Sequence, residues 1–238
     1  MTIEERIGVI RERIEKAAHR SGRDPGGIRL MGVSKFHDAP EIEAAIKAGL
    51  FLFGESRVQE AVKKFPAIKE AYPAVELHLI GSLQRNKVKD ALAVFDGIQS
   101  VDRDELIIAL GTAAGNVACG GSPVCSPVCR VLLEMHTGEA SKAGYPDEDS
   151  LSRAVELIGS FPGLTLSGLM TMAPLTQNEA LIRQSFRKLV SAQKSLQRRF
   201  PREDFSCLSM GMSADFEIAV EEGSTLIRIG TAIFGESD

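Results

Sequence analysis

Residues 28–54 read IRLMGVSKFHDAPEIEAAIKAGLFLFG and predict one strand–helix–strand unit. Residues 28–34 form a short, mostly apolar run, which is typical of a strand. A helical stretch begins at Pro40, a residue type favoured in the first turn of a helix, and stops at Gly49. A second apolar run follows at residues 50–54. Strands that are apolar on both faces indicate a parallel sheet covered by helices.

The same alternation continues along the rest of the chain. Six further apolar runs alternate with helical stretches, at residues 75–81, 97–101, 130–135, 164–170, 206–210 and 225–229. Eight such strands match a closed (β/α)8 barrel of the TIM type better than an open sheet of five or six strands. The alternative, a doubly wound dinucleotide-binding sheet, needs a glycine-rich turn after the first strand, but the sequence there is Val33-Ser34-Lys35-Phe36. We therefore expect an α/β fold with a single barrel domain over residues 1–238.

An extra helix precedes the first strand. Thr2 and Glu5 have the spacing of a capping box, and isoleucines at positions 3, 7, 10 and 14 recur at helical spacing behind it. Few residues follow the eighth strand, so its own helix should be missing or very short. We expect the N-terminal helix to cover that gap.

Composition excludes several classes of protein. The net charge of −4 disfavours a nucleic-acid partner, and the charged N-terminus lacks the apolar stretch of a signal peptide, so we expect a cytoplasmic protein without membrane contact. The cysteines at positions 119, 125, 129 and 207 lack any C-x-x-C pair, which predicts reduced thiols and no metal site. Ser-Pro-Val-Cys occurs twice in tandem within residues 122–129, and we interpret it as a loop extension.

Residues that close the strands are the site candidates, because the active site of such a barrel lies at the carboxyl ends of its strands. Lys35 closes the first strand, where an amine can be desolvated and attack a carbonyl to form a Schiff base. A lysine that simply reaches solvent is the competing interpretation. Other strands close at Glu55, Ser82, Asp102, His136, Met172 and Gly211.

Two small-residue turns follow strands seven and eight. The hydroxyls of Ser209 and Ser213 and the Gly230-Thr231 pair favour a phosphate cradle, although ordinary turn residues explain the same pattern. Arg228 lies in the last apolar strand, where the alternation of side chains would point it toward whatever occupies the barrel mouth. The competing interpretation is a surface residue on the rim. A lysine, a phosphate cradle and an arginine together are the parts that hold pyridoxal 5'-phosphate.

Several motifs resemble the YggS/PROSC family of pyridoxal phosphate homeostasis proteins along nearly the whole chain. They are VSK at 33–35, FGE with RVQE at 53–60, HLIGSLQRNKVK at 78–89, SVD at 100–102, SK at 141–142 with Gly144, GLMTMAP at 168–174 and LSMGMSADFEIAVEEGSTLIRIGTAIFG at 208–235. The resemblance implies a barrel like the N-terminal domain of alanine racemase, fold type III among pyridoxal phosphate proteins, with the cofactor on Lys35. Ser56 and Phe36-His37 depart from the family pattern, near the open face of the cofactor.

The resemblance implies a carrier of the cofactor rather than an enzyme, and two arguments favour this. Arg228 facing the pyridine nitrogen can only donate a hydrogen bond, which leaves the ring a weak electron sink. The sequence stops after the barrel, before a second domain could supply an opposite-face base, and of the two tyrosines only Tyr145 is expected near the mouth. A racemase-like enzyme of unknown substrate is the alternative.

The expected partners follow from this interpretation. They are the small-molecule cofactor and apoenzymes that depend on it, and we expect a monomer or a weak dimer. A nucleic-acid- or protein-interaction module using Arg85, Lys87 and Lys89 is a third interpretation, but a solvated helix face explains that charge run.

Overall fold

A computed structural model describes residues 1–118, 129–138 and 143–235, and it confirms the predicted closed barrel. Every strand pairs in parallel with the next, and the first strand closes the barrel against the eighth. The strands are β1 (Arg29–Val33), β2 (Leu52–Glu55), β3 (Glu76–Leu79), β4 (Gly97–Val101), β5 (Cys129–Glu134), β6 (Leu164–Met170), β7 (Cys207–Ser209) and β8 (Leu226–Ile229).

Helices surround the barrel and follow the strands as predicted. Within the described residues they are α1 (Ile3–Arg20), α2 (Ala39–Lys47), α3 (Val58–Ala71), α4 (Val88–Val94), α5 (Asp104–Ala118), α6 (Glu148–Gly159), α7 (Glu179–Arg199), α8 (Phe216–Glu221) and α9 (Thr231–Phe234). Short 3₁₀ turns precede β1 and α4, at Pro25–Gly27 and Arg85–Lys87. No helix in these ranges is long and apolar enough to cross a membrane.

The N-terminal helix occupies the place that we predicted for it. The Thr2–Glu5 capping box is present in both directions, and the isoleucines of one face are buried. Because α9 has only four residues, α1 packs against both α8 and α9, and Arg6 donates to the carbonyl of Ile233 at 3.2 Å. The extra helix therefore covers the part of the barrel wall that the short last helix leaves open.

The last two strands are shorter than we predicted. We expected strands over residues 206–210 and 225–229, but β7 has three residues and β8 has four. The Leu208 carbonyl still accepts from the Thr225 N–H, and the Met210 N–H donates to the Leu226 carbonyl. The shortening therefore reflects the turn that begins at Gly211 rather than a loss of pairing. That turn belongs to the site.

Two cysteines are described, and both Cys129 and Cys207 are free thiols. Burial raises the pKa of the Cys129 thiol to about 12 and that of Cys207 to about 11, so both are protonated at neutral pH. Cys119, Cys125 and most of the Ser-Pro-Val-Cys pair lie outside the described residues.

Candidate functional site

A cavity of about 350 Å³ opens at the carboxyl ends of the strands, a size typical of small-molecule sites. Five of the six predicted site residues line it: Lys35, Ser213, Arg228, Gly230 and Thr231. The sixth, Ser209, does not line it. Apolar side chains complete the wall, chiefly Val33, Ile80, Met170, Met172 and Met212.

Lys35 lies on a tight turn directly after β1. The N–H of His37 donates to the carbonyl of Ser34 at 3.1 Å, and Phe36 has a φ of 68°, in the left-handed region. The Lys35 side chain is exposed at the cavity mouth. The desolvation that we expected from a buried strand end is therefore absent, because β1 ends at Val33 and the lysine follows on the turn.

His37 ends this turn, and its side chain contacts α9 and α2. Its ring is buried and stacks on Phe234, with 4.8 Å between ring centroids, and Nδ1 lies 3.1 Å from the Glu41 carboxylate of α2. The stacking of His37 on Phe234 links the turn after β1 to the short helix after β8. Two of the segments that line the cavity are therefore packed against each other.

Arg228 forms the floor of the cavity and is 4% exposed. Its Nη1 donates to the Ser209 carbonyl at 2.8 Å and to the Ser209 hydroxyl at 2.6 Å, and its Nη2 donates to the Thr171 carbonyl at 2.9 Å. Burial lowers the pKa of the guanidinium to about 10, so Arg228 stays charged at neutral pH. Arginine has no acceptor, so the group can offer a ligand only N–H donors.

Ser209 supports Arg228 instead of contacting the cavity. Its hydroxyl accepts from Arg228 and donates to Gln99 Oε1 at 2.6 Å, and Gln99 Nε2 lies 2.9 Å from Nδ1 of His78. Because Gln99 Oε1 accepts from the Ser209 hydroxyl, Gln99 Nε2 is the donor toward His78, which must accept at Nδ1. Burial lowers the pKa of His78 to about 4, which agrees with a neutral ring.

The turn after β7 supplies hydrogen-bond donors. Asp215 Oδ1 accepts from the Met212 N–H at 2.6 Å and closes the turn, while Gly211 has a φ of 99° and packs so closely on α8 that an added Cβ would lie 2.6 Å from that of Ala219. The backbone N–H groups of Ser213 and Ala214 have no acceptor among the described residues.

Thr231 faces this turn from the other loop. Its backbone N–H likewise has no acceptor within the described ranges, and its side chain is exposed. A Cβ added to Gly230 would lie 3.4 Å from the Val33 carbonyl oxygen, so the loop backbone lies directly against the end of β1. The cavity therefore carries an amine on one side, a cluster of N–H donors without an acceptor among the described residues on the other, and a guanidinium at its floor.

Comparison with known proteins agrees with this geometry. Residues 7–238 match the family described as alanine racemase, N-terminal domain. The pyridoxal phosphate homeostasis protein of Vibrio cholerae is 38% identical, over 100% of this chain and 97% of that protein. The chain belongs to the alanine racemase N-terminal domain family, among the pyridoxal phosphate homeostasis proteins.

Solved structures of similar proteins superpose over the full barrel. PipY of Synechococcus elongatus, solved with pyridoxal phosphate bound, has a TM-score of 0.82 and 35% identity, covering 98% of this chain and 100% of that one. The alanine racemase of Bacillus anthracis has a TM-score of 0.69 at 15% identity and covers 96% of this chain but 56% of that one. The second likeness shows the shared fold alone.

Ser56, which departs from the family pattern, lines the cavity, as does His37. Phe36 is 59% exposed and lies beside the mouth, with Lys35 Nζ 5.8 Å from its ring centroid. Ser141 and Lys142, which belong to a further family motif, lie outside the described residues.

Tyr145 is not available at the mouth. Its ring is buried, its hydroxyl donates to Asp104 Oδ1 at 2.9 Å, and burial together with the Asp104 carboxylate raises its pKa. Neither Tyr145 nor Tyr72 is among the residues that line the cavity.

Glu134 is a buried carboxyl behind the cavity that our sequence reasoning missed; it interacts with Arg228 but is not among the residues that line the cavity. It ends β5 and is 5% exposed, and burial, with a smaller contribution from the Asp102 carboxylate, raises its pKa to about 7. The charge of Arg228 opposes this rise, so the two buried groups interact. The sequence does not distinguish a buried glutamate at the end of a strand from an exposed one. Only the structure shows that Glu134 is buried and interacts with Arg228.

Proposed function

We propose that this protein binds pyridoxal 5'-phosphate reversibly, as a Schiff base on Lys35, and serves intracellular homeostasis of that cofactor without significant turnover of amino acids. The observation that carries the proposal is that Lys35, Arg228 and the free donors of Ser213 and Thr231 line one cavity. The names of the relatives and the ligand of PipY support the choice of cofactor.

Each part of the cavity fits one part of the cofactor. The exposed Lys35 amine is available to condense with the aldehyde and release water. The hydroxyls and N–H groups around Ser213, Gly230 and Thr231 suit a phosphate, which accepts several hydrogen bonds at once. Arg228, at the floor, suits the pyridine nitrogen as a donor. Ser209 contributes by holding Arg228, not as part of the phosphate cradle.

Two features of the chain disfavour turnover. Pyridoxal phosphate, when bound, supplies an electron sink for carbanions, and this sink is strongest when the pyridine nitrogen is protonated. Arg228 has no acceptor atom, so it cannot accept a hydrogen bond from a protonated pyridine nitrogen and therefore favours the unprotonated ring. In addition, neither tyrosine of the chain lines the cavity, so neither can serve as an acid or base opposite Lys35.

A racemase-like enzyme is the second candidate, because the chain shares its barrel with the alanine racemases. The test is to incubate the cofactor-loaded protein with each common L- and D-amino acid and to assay the opposite enantiomer, keto acids and amines. We expect no product at rates near the roughly 1 to 10³ s⁻¹ of typical enzymes. Product formed in that range, and lost in Lys35→Ala, would establish the enzyme instead.

Reductive trapping tests the carrier itself. Borohydride reduces a Schiff base to a stable secondary amine, and peptide mapping then shows which lysine carries the pyridoxyl group. We expect Lys35, and we expect Lys35→Ala to lose the visible absorbance band of the Schiff base, whereas the exposed Lys63→Ala retains it. A pyridoxyl group found mainly on Lys87 or Lys142 would refute the assignment.

The proposal extends to partners and location. The carrier would work as a monomer or weak dimer in the cytoplasm and deliver the cofactor to apoenzymes that depend on it. Mixing the loaded protein with an apoenzyme of this class and following recovery of that enzyme's activity tests delivery, and the Lys35→Ala protein is the control.

A further inference from the structure

The turn that presents Lys35 is strained. Phe36 is the single non-glycine residue with a positive φ in the part of the chain that the structure describes, and it directly follows the reactive lysine. A bulky residue in this conformation persists only where the surrounding structure determines it. One hydrogen bond, from the His37 N–H to the Ser34 carbonyl, closes the turn from within. Contacts from outside the turn are therefore needed to hold it, and the His37 side chain makes one set, to Phe234 and Glu41.

Lys64, on α3, makes a second external contact, to the backbone at both ends of the turn. Its ammonium donates to the Ser34 carbonyl at 3.0 Å and to the His37 carbonyl at 2.8 Å, the two residues that bracket Lys35 and Phe36. Its third contact is Glu55 Oε1 at 2.7 Å. A lysine ammonium has three protons, so all three are used, and two of them bind the ends of the turn.

Glu55 supplies the opposite charge for the partly buried Lys64 ammonium. It ends β2, is fully buried, and accepts at Oε1 from both Lys64 and the Ser34 hydroxyl, the latter at 2.8 Å. Its other oxygen, Oε2, has no partner among the described residues. A charge this deeply buried requires an opposite charge, so the carboxylate and the ammonium hold each other in place.

We propose that Lys64 is a positioning residue for Lys35: by binding the Ser34 and His37 carbonyls, it holds the strained turn that aims the Lys35 amine into the cavity. Lys64 is not among the residues that line the cavity, so it acts only through the backbone of the turn. The inference rests on the proposed role of Lys35 as the attachment point.

The first test uses the protein without ligand. Lys64→Met alone leaves the Glu55 carboxylate unpaired, so the informative variant is the double substitution Lys64→Met with Glu55→Gln, in which the amide still accepts from Ser34. We expect faster deuterium uptake in the peptide covering residues 34–38 than in wild type. Lys63→Met, at the exposed neighbouring position, is the control and should match wild type. Unchanged uptake in the double variant would overturn the proposal.

The second test compares two ligands that differ only at the reacting carbon. Pyridoxine 5'-phosphate has a hydroxymethyl group where pyridoxal 5'-phosphate has the aldehyde, so it cannot react with Lys35. In the double variant we expect affinity for pyridoxal 5'-phosphate to fall about tenfold, the effect of losing charge-assisted hydrogen bonds that hold the turn, while affinity for pyridoxine 5'-phosphate changes less than about twofold. Equal weakening of both ligands would contradict a role through Lys35.

The two tests separate the two proposals. If wild-type Lys35 takes no pyridoxyl group, the proposed function fails, and the uptake comparison still decides whether Lys64 holds the turn. If the group is on Lys35 but the double variant keeps wild-type uptake and affinity, only the positioning role fails.

Discussion

The two sides of the cavity hold their charged residues in opposite ways. Lys35 is exposed, and Lys64 of α3 binds the backbone of the turn that carries it. Arg228 is buried, and its own guanidinium donates to Ser209 and Thr171. Under the proposed function, an amine that reacts needs a mobile side chain on a fixed backbone, whereas a guanidinium that only donates hydrogen bonds needs a fixed side chain. The two arrangements in this cavity fit those two roles.

The supporting networks differ in charge as well. Lys64 and Glu55 form a buried ion pair, while the chain from Arg228 through Ser209 and Gln99 to His78 contains one charge and otherwise neutral groups. Removing one member should therefore have different costs on the two sides.

The largest effect should come from breaking the ion pair. Lys64→Met leaves the Glu55 carboxylate buried and unpaired, which costs about 3–5 kcal/mol of unfolding free energy. Arg228→Met leaves the neutral Thr171 carbonyl without the guanidinium donor, while the Ser209 carbonyl keeps the Thr171 N–H at 3.1 Å, and it also removes a buried charge. Its cost should therefore be smaller, about 1–3 kcal/mol. Urea unfolding at neutral pH measures both. If the two variants lost equal unfolding free energy, or Arg228→Met lost more, the ion pair would not be the more costly of the two networks to break.

The pH dependence of stability sharpens the comparison on the Arg228 side. The pKa of Glu134 is raised to about 7 in the folded protein, above its ordinary value of 4.5. Its stabilising contribution is therefore complete below pH 4.5 and is lost as the pH rises through 7. Relative to wild type, Glu134→Gln should gain about 3 kcal/mol in unfolding free energy between pH 4.5 and pH 8. Parallel pH profiles for the two proteins would exclude a buried, ionisable Glu134.

His78 should show the opposite sign at the far end of the same network. Its folded pKa of about 4 lies below the ordinary value of 6.5, so its contribution is complete above pH 6.5 and is lost as the pH falls through 4. We expect His78→Gln to lose this acid sensitivity, a difference of about 3 kcal/mol between pH 7 and pH 4. His19→Gln, at an exposed position, is the control. If His78→Gln lost as much unfolding free energy as wild type when the pH falls from 7 to 4, the acid sensitivity would belong to other groups.

Sequence reasoning found the residues that end strands and missed those that hold them. Lys35 and Arg228 could be predicted because the carboxyl ends of barrel strands meet at one mouth, a rule that needs only strand order. Lys64 lies 30 residues from Ser34, and Gln99 lies 110 from Ser209. Such pairs depend on barrel register and helix rotation, which one sequence does not specify. For the same reason, Ser209 could be assigned to strand seven but not to the side that faces Arg228.

The smallest predicted effect concerns the phosphate cradle, and it separates the hydroxyl of Thr231 from the backbone N–H groups around it. Thr231→Val removes one hydroxyl and keeps the shape, so it should weaken binding of pyridoxal 5'-phosphate several-fold, corresponding to about 0.5–1.5 kcal/mol for a neutral bond and more with a charged phosphate. Binding of pyridoxal, which lacks the phosphate, should not change, so the variant should discriminate less between the two. Thr231→Ser retains the hydroxyl and should behave as wild type. Because the free N–H groups of Ser213 and Ala214 remain in both variants, a loss far beyond this range would mean that the substitution disturbs the loop rather than one hydrogen bond. Undiminished discrimination in Thr231→Val would remove its hydroxyl from the cradle and leave the phosphate to the backbone donors.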